Sequence, residues 1–265
     1  MNYKFLIIAC LTLLIACKKE APKELQEPEA KFLVDKIYDY NHNLLADYVY
    51  NENNQLVKRI TTDPVHNRSS DYEFEYENNR VSKIRYIDYT FPQFNHTIDI
   101  IYNQEGNIVR DETYQKGVLV GAQDYTLYED GKIKGLLNAE GKEHITFFYG
   151  ETGNIEELVR KVPDDGYVGY KNGYREIHGY YIYDDKKKPD FGIEGIFQFE
   201  PLPYFGTAAV IPKNASEHNM LELVGGDKWI YEYNEHGLPE TIETKWKDVE
   251  TLEPMVLNIK YREIK

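Results

Sequence analysis

Side chains that commonly do chemistry are thinly spread in this sequence. The seven histidines stand at 42, 66, 96, 144, 178, 218 and 236, and none forms His-x-His or His-Glu-x-x-His, so no zinc motif is visible. Asp164-Asp165 and Asp184-Asp185 could offer hard oxygens to calcium or a carboxylate pair to a glycosidase. No Asp-x-Asp-x-Asp-Gly loop accompanies them, and adjacent strand residues point to opposite faces, so both pairs read as solvated turn acids. A Gly-x-Ser-x-Gly elbow, a phosphate loop and a dinucleotide fingerprint are all missing from the sequence. We therefore assign no catalytic residue, metal or cofactor. What abounds is tyrosine, with 24 copies against 11 Phe and 2 Trp. Tyr and Trp present an apolar face with a polar tip, which suits stacking on sugar rings or burial in a protein contact. The loop candidates are Tyr167, Tyr170, Tyr174 and Tyr204, with Trp246 near the last strands.

Most other tyrosines belong to a repeat and read as β-core and cross-strand ladders. Its phrase is an aromatic or aliphatic residue, any residue, Tyr, then Asn, Asp or Glu, a turn and an aliphatic. It reads Tyr48-Val49-Tyr50-Asn51-Glu52-Asn53-Asn54-Gln55-Leu56 first and Tyr231-Glu232-Tyr233-Asn234-Glu235-His236-Gly237-Leu238 last. The key tyrosines fall at 50, 76, 102, 128, 149, 183 and 233. Three spacings of 26 open the series; those of 21, 34 and 50 read as a deletion, an insertion and a pair of units with a degenerate middle.

Each phrase predicts a β-hairpin. Asp71-Tyr72-Glu73-Phe74-Glu75-Tyr76 alternates acid and ring without a fault, placing rings on one face and carboxylates on the other. Asn-Asn, Asp-Gly and Glu-Gly supply the positive φ of tight connections. No helical stripe of convincing length follows the leader. The fold class is thus all-β, a long antiparallel meander of about 14 to 16 strands curled into a roll or barrel-like sheet, since open sheets seldom exceed ~10 strands. A transmembrane barrel, aromatic outside and acidic inside, is the rival. Loop excursions are expected at 163–181, rich in Gly and Tyr, and at 186–212, with several rings among Pro201, Pro203 and Pro212.

The N-terminal residues carry a different chemistry. Lys4 precedes an apolar run from Phe5 to Ala16, broken only by Thr12, which is too short to span hydrocarbon but fits a signal peptide. The run ends in Leu14-Ile15-Ala16-Cys17, which resembles the lipobox of bacterial lipoproteins. The resemblance implies cleavage after residue 16, a diacylglycerol thioether on Cys17 and an acylated amine, with lipid as the first partner. Residues 17–30 then form a tether, polar and proline-bearing, that reaches at most about 40 Å. Residues 31–265 form the β domain. Cys10 and Cys17 are the only cysteines, so that domain can hold no disulfide and no Cys-ligated zinc.

A net charge of −14 without a basic cluster argues against a nucleic-acid partner. The lipobox, the tether and the repeated phrase together resemble a group of Bacteroidetes lipoproteins of unknown function with a porin-like fold. The phrase is also similar to the tyrosine–aspartate repeats of Rhs-type proteins. Members of the group often follow a late Tyr-x-Tyr-Asp with Asn-Pro-Phe; here Tyr181-Ile182-Tyr183-Asp184 is followed by Lys188-Pro189-Asp190-Phe191. The resemblance implies lineage and architecture and supplies no catalytic residue. The expected role is a non-enzymatic, lipid-anchored binding or accessory module of the outer membrane, facing the surface or the periplasm, with a glycan or an envelope protein as ligand. A structural or assembly component, and then a glycan-acting hydrolase, are the alternatives.

Overall fold

The computed structural model describes residues 30–64, 66–163, 174–193, 196, 199, 202, 210–247 and 254–264. The leader, Cys17, nearly all of the tether, Tyr167, Tyr170 and Tyr204 lie outside them. Eight strands make the first half: β1 (Lys31–Tyr38), β2 (Leu44–Tyr50), β3 (Leu56–Asp63), β4 (Arg68–Glu77), β5 (Arg80–Asp88), β6 (His96–Tyr102), β7 (Ile108–Gln115) and β8 (Val118–Leu127). The second half holds β9 (Ile133–Leu137), β10 (Glu143–Tyr149), β11 (Ile155–Pro163), β12 (Tyr174–Lys187), β13 (His218–Leu223), β14 (Lys228–Tyr233), β15 (Pro239–Lys245) and β16 (Met255–Ile264). One short helix, α1 (Val210–Ala215), stands between β12 and β13. Every strand pairs antiparallel with its sequence neighbour, and β1 pairs with β16 from Lys31↔Ile264 to Tyr38↔Asn258, so the meander closes into a barrel. The strand count lies at the top of the expected range, and the closed form replaces the open roll.

Local chemistry explains the turns. Asn78 and Asn79 (φ 50° and 67°) and Lys116 and Gly117 (φ 51° and 78°) make two-residue connections with both central residues left-handed, which match strand twist. Asn51, Asn103 and Asn234 open longer turns in which the first N–H bonds the carbonyl four residues on. The asparagine Oδ1 accepts the returning N–H, at 3.0 Å from Gln55, 2.8 Å from Asn107 and 3.1 Å from Leu238. The fourth residue needs a positive φ, taken by Asn54, Gly106 and Gly237. The Asn51, Asn78–Asn79, Asn103 and Asn234 connections share one end of the barrel, here the turn end, where β1 also begins and β16 stops, and Lys116–Gly117 lies at the other.

Each turn is followed by a register shift, which interrupts the ladder and leaves a backbone group to be satisfied otherwise. The repeat tyrosines do this. The phenol of Tyr76 donates to the Leu56 carbonyl at 2.7 Å, Tyr102 to Val81 at 2.8 Å, Tyr183 to Ile155 at 2.9 Å and Tyr261 to Pro239 at 2.7 Å. Tyr50 to Val34 and Tyr231 to Met220 follow the same rule. In the first four the acceptor lies at the start of the preceding strand and in the last two it lies two or three residues inside it, so these tyrosines fasten one repeat to the one before; Tyr233 instead donates to Asp184.

The alternation in Asp71–Tyr76 resolves with rings inside. Phe74 is buried, Tyr72 and Tyr76 pack on the core, and Glu73 and Glu75 pair outside with Lys58 and Arg85. Cross-strand ion pairs line the outer wall, among them Lys36–Asp47 at 2.7 Å, Lys83–Asp99 at 2.9 Å and Arg110–Asp124 at 2.7 Å. Such half-exposed pairs each contribute at most ~1 kcal/mol. Together they put charge over much of the outer wall, where Val49, Ile101, Phe148, Ile182 and Ile230 also face outward.

The interior is closed by the segment between β12 and β13. Val34 N–H donates to the Asp190 carbonyl at 2.9 Å, drawing the chain inward. Phe191, Ile196, Phe199 and Leu202 then join the buried core of the wall strands. The Phe199 ring lies 5.0 Å from Tyr72 and 5.1 Å from Phe74, and the buried Arg59 guanidinium covers both Tyr72 and Phe199. This corrects two sequence expectations. The 50-residue gap between Tyr183 and Tyr233 is one repeat, two strands, carrying this plug. Of the excursion expected at 163–181, the part from Tyr174 onward is strand, with β12 alternating Tyr181 and Tyr183 into the core, while residues 164–173 lie outside the described residues.

Removing a phenol that satisfies a shifted carbonyl should cost about 1–2 kcal/mol. Tyr76→Phe and Tyr102→Phe should each lower urea-unfolding stability by that amount, whereas Tyr40→Phe, 74% exposed, should change nothing measurable.

Candidate functional site: a polar mouth above a buried plug

At the turn end the barrel opens into a mouth of 740 Å³. Its wall is built from the turns themselves. Gln55, Arg80, Asn107 and Lys132 all line it, and each occupies the position just before the aliphatic residue of its repeat. Beneath them the rings of Tyr76, Tyr102 and Tyr149 form the sides, and Asp190, Gly192 and Ala215 of the plug form the floor. Neighbouring turns interlock: Gln55 Nε2 donates to Asn79 Oδ1 at 2.8 Å, and the Arg80 guanidinium lies where a Cβ on Gly106 would project. Gly106, at φ +87°, thus serves both its own turn and its neighbour's side chain. Arg80 stands 5.6 Å from the Tyr102 ring centre and Lys132 5.2 Å from that of Tyr149, so cations, amides, a carboxylate (Asp130) and aromatic faces share one concave surface.

Burial sets the state of the tyrosines. Tyr76 is pushed up to about 12 and Tyr149 higher still, in both cases chiefly by desolvation, so the mouth phenols are neutral at physiological pH. They offer hydrogen bonds and ring faces rather than charge. Among the described residues no group of three His, Cys, Asp or Glu stands close enough to hold a metal.

A second cavity of 170 Å³ lies between the plug and β13–β15, lined by Lys188, Phe199, Lys213, Asn219 and Met220 among others. The Lys188 ammonium donates to the carbonyls of Lys213 at 2.9 Å and Asn214 at 3.1 Å, which end α1. It therefore caps the helix and holds the two legs of the plug together. Desolvation lowers its pKa to about 8. Lys213 lies 4.5 Å over the Trp229 ring.

The neck of the plug uses one of the acid pairs. Asp184 accepts from the Asn219 backbone N–H at 3.1 Å and its side-chain amide at 3.2 Å, and from the Tyr233 phenol. Asp185 faces solvent. The expectation of two solvated turn acids is corrected for Asp184, which clasps the neck. Tyr174 is exposed at the start of β12 and Trp246 half-buried just after β15. Both sit at the end opposite the mouth, so the described members of the predicted tyrosine–tryptophan set do not line it.

No family model matches the chain, and no curated protein matches it. Among solved structures it is similar to a porin-like protein from Bacteroides uniformis, with 12% identity and a TM-score of 0.46 over 89% of this chain and 98% of that one. A porin-like protein from Bacteroides vulgatus gives 9% identity and a TM-score of 0.35 over 87% and 99%. A TcdB2-TccC3-Cdc42 structure gives 12% and 0.31 over 85% of this chain and 12% of that one.

Lys188 makes the plug testable by pH. Its folded pKa of about 8 lies below the roughly 10.4 of a free lysine, so between these values the unfolded chain binds the extra proton. The penalty is fully present below about pH 8 and is relieved as pH rises toward 10. Urea-unfolding stability should therefore rise across that window, and the rise should flatten in Lys188→Met. Above about pH 10 the buried phenols reverse the trend, because the unfolded chain loses their protons first.

Proposed function

We propose that the chain is a lipid-anchored, non-enzymatic envelope protein that binds a ligand, foremost a glycan, in the mouth at the turn end of its barrel. The observation that carries this reading is the 740 Å³ mouth itself, where tyrosine faces alternate with Arg80, Lys132, Asp130 and asparagine amides above a floor of plug residues. Concave sites lined by aromatic faces and a few convergent polar groups are the usual form of small-ligand sites. A floor favours holding a ligand over passing one. The Cys17 motif supports anchoring through acyl chains, which hold stably when two or more are present. A structural or assembly role is the second reading, favoured by a strand edge at the opposite end that is unpaired among the described residues.

The test is a glycan array probed with the chain lacking residues 1–17, followed by titration of any hit. Arg80→Ala combined with Lys132→Ala should weaken binding by at least about tenfold, or ~1.4 kcal/mol, without lowering the melting temperature. Binding untouched by this pair but lost on replacing Tyr167, Tyr170 and Tyr174 with Ala would move the site to the opposite end. No binding across the array would remove the glycan reading.

A further inference from the structure

A closed barrel has no edges, yet β12 is longer than the wall around it. It pairs with β11 from Glu157↔Tyr180 to Pro163↔Tyr174 without a register shift, but with β13 only from Tyr181↔Leu223 onward. Val224 N–H to the Tyr180 carbonyl, at 2.8 Å, is the last bond on that side. Among the described residues, Tyr174–Gly179 therefore presents a flat, unpaired edge beyond the barrel rim. Such edges recruit another strand unless they are twisted, covered or made repulsive. The comparable stretch of β8, Val118–Gln123, which β9 does not reach, is twisted by a shift between Thr113 and Tyr114. The β12 edge has no register shift against β11, and beside its charged Arg175 and Glu176 the side chains of Tyr174, Ile177, Tyr180 and Val224 are all exposed, at 46%, 42%, 48% and 51%.

The order of residues along this edge says what would cover it. Alternate residues share a face, so Tyr174, Glu176, His178 and Tyr180 lie on one side and Arg175, Ile177 and Gly179 on the other. Read about Ile177, this order is self-complementary, with tyrosines at both ends and Glu176 set against His178. A two-fold axis perpendicular to the sheet keeps like faces together and pairs residues whose numbers sum to an even value. Centred on Ile177, it sets Ile177 against its own copy, Glu176 opposite His178, Arg175 opposite Gly179, and Tyr174 beside Tyr180 and Val224. Centred one residue earlier it would oppose Glu176 to Glu176. His178 already meets Glu157 at 2.7 Å, so the second carboxylate would complete a bridge between two acids. We infer that the free edge of β12 pairs antiparallel with the same edge of a second copy of this chain, in the register centred on Ile177. The result is a continuous four-stranded ribbon joining two barrels.

The interface is small, so the test traps it covalently. The barrel closes within Lys31–Ile264, and the chain lacking residues 1–17 keeps every strand and contains no cysteine. In that chain Ile177→Cys should give a disulfide-linked dimer under mild oxidation. The rate should exceed that of Ile182→Cys, equally exposed on the same strand but where β13 covers the edge, by at least about tenfold. Adding Glu176→Lys, which would face His178 of the other copy, should slow Ile177→Cys toward that control. Equal rates at the two positions, the absence of a dimer, or indifference to Glu176→Lys would each overturn the proposal.

Discussion

A closed sheet of sixteen strands encloses more space than the side chains of its own wall can fill. Barrels of this size ordinarily keep an aqueous channel with a polar lining. This chain directs Val34, Ile84, Phe147, Ile242 and Leu257 inward and leaves most Lys, Arg, Asp and Glu outside, with the buried Arg59, Asp71, Asp111 and Lys213 among the exceptions. An apolar lumen of that width must be filled or it fails to separate from water. The remaining features answer that requirement. Tyrosines, which reach farther than aliphatics, form the inner layer, and the segment after β12 brings Phe191, Ile196, Phe199 and Leu202 into the centre. The same filling leaves one end as a floored mouth, so the demand that creates the plug also creates that mouth.

The repeat follows from a second, local constraint. Tight asparagine and glycine turns reverse the chain at the cost of a register shift, and each shift strands a carbonyl near the core. A strand-ending tyrosine in the next repeat reaches back to it. Its hydroxyl has to stay neutral for this, and burial holds it so. The rule breaks at Tyr233, whose phenol donates to Asp184, and where the spacing falls from 26 to 21. There β9 is only five residues long, and Tyr128 donates forward to the Phe147 carbonyl instead of back to Ile108. The second exception marks where the wall shortens beside β8.

Much of the wall was legible in the sequence because a two-residue period and turn chemistry are local signals. Asp71–Tyr76 announced which face carries rings, and the 26-residue period announced a pair of strands. The plug was not legible for a physical reason. Proline and glycine around Lys188–Pro212 remove any strand or helix period, so its rings look like those of a surface loop, and only the size of the closed barrel requires them inside. Asp184 looked like a turn acid because its partners, Asn219 and Tyr233, lie 35 and 49 residues away. The mouth residues carried a weak signal that went unused: Gln55, Arg80, Asn107 and Lys132 recur just before the aliphatic of successive repeats, which stacks them on one rim. The leader and Cys17 remain readings of the sequence, since they lie outside the described residues.

The account depends on the plug being the core of a barrel that folds in water. The most direct measurement is urea unfolding, without detergent, of the chain lacking residues 1–17 and of its Phe199→Ala variant. A buried ring packed between Tyr72, Phe74 and Arg59 should cost about 3–5 kcal/mol when removed, with one cooperative transition in both proteins. A variant as stable as the parent, or a parent that stays folded only in detergent, would contradict a water-folded barrel held together by its plug.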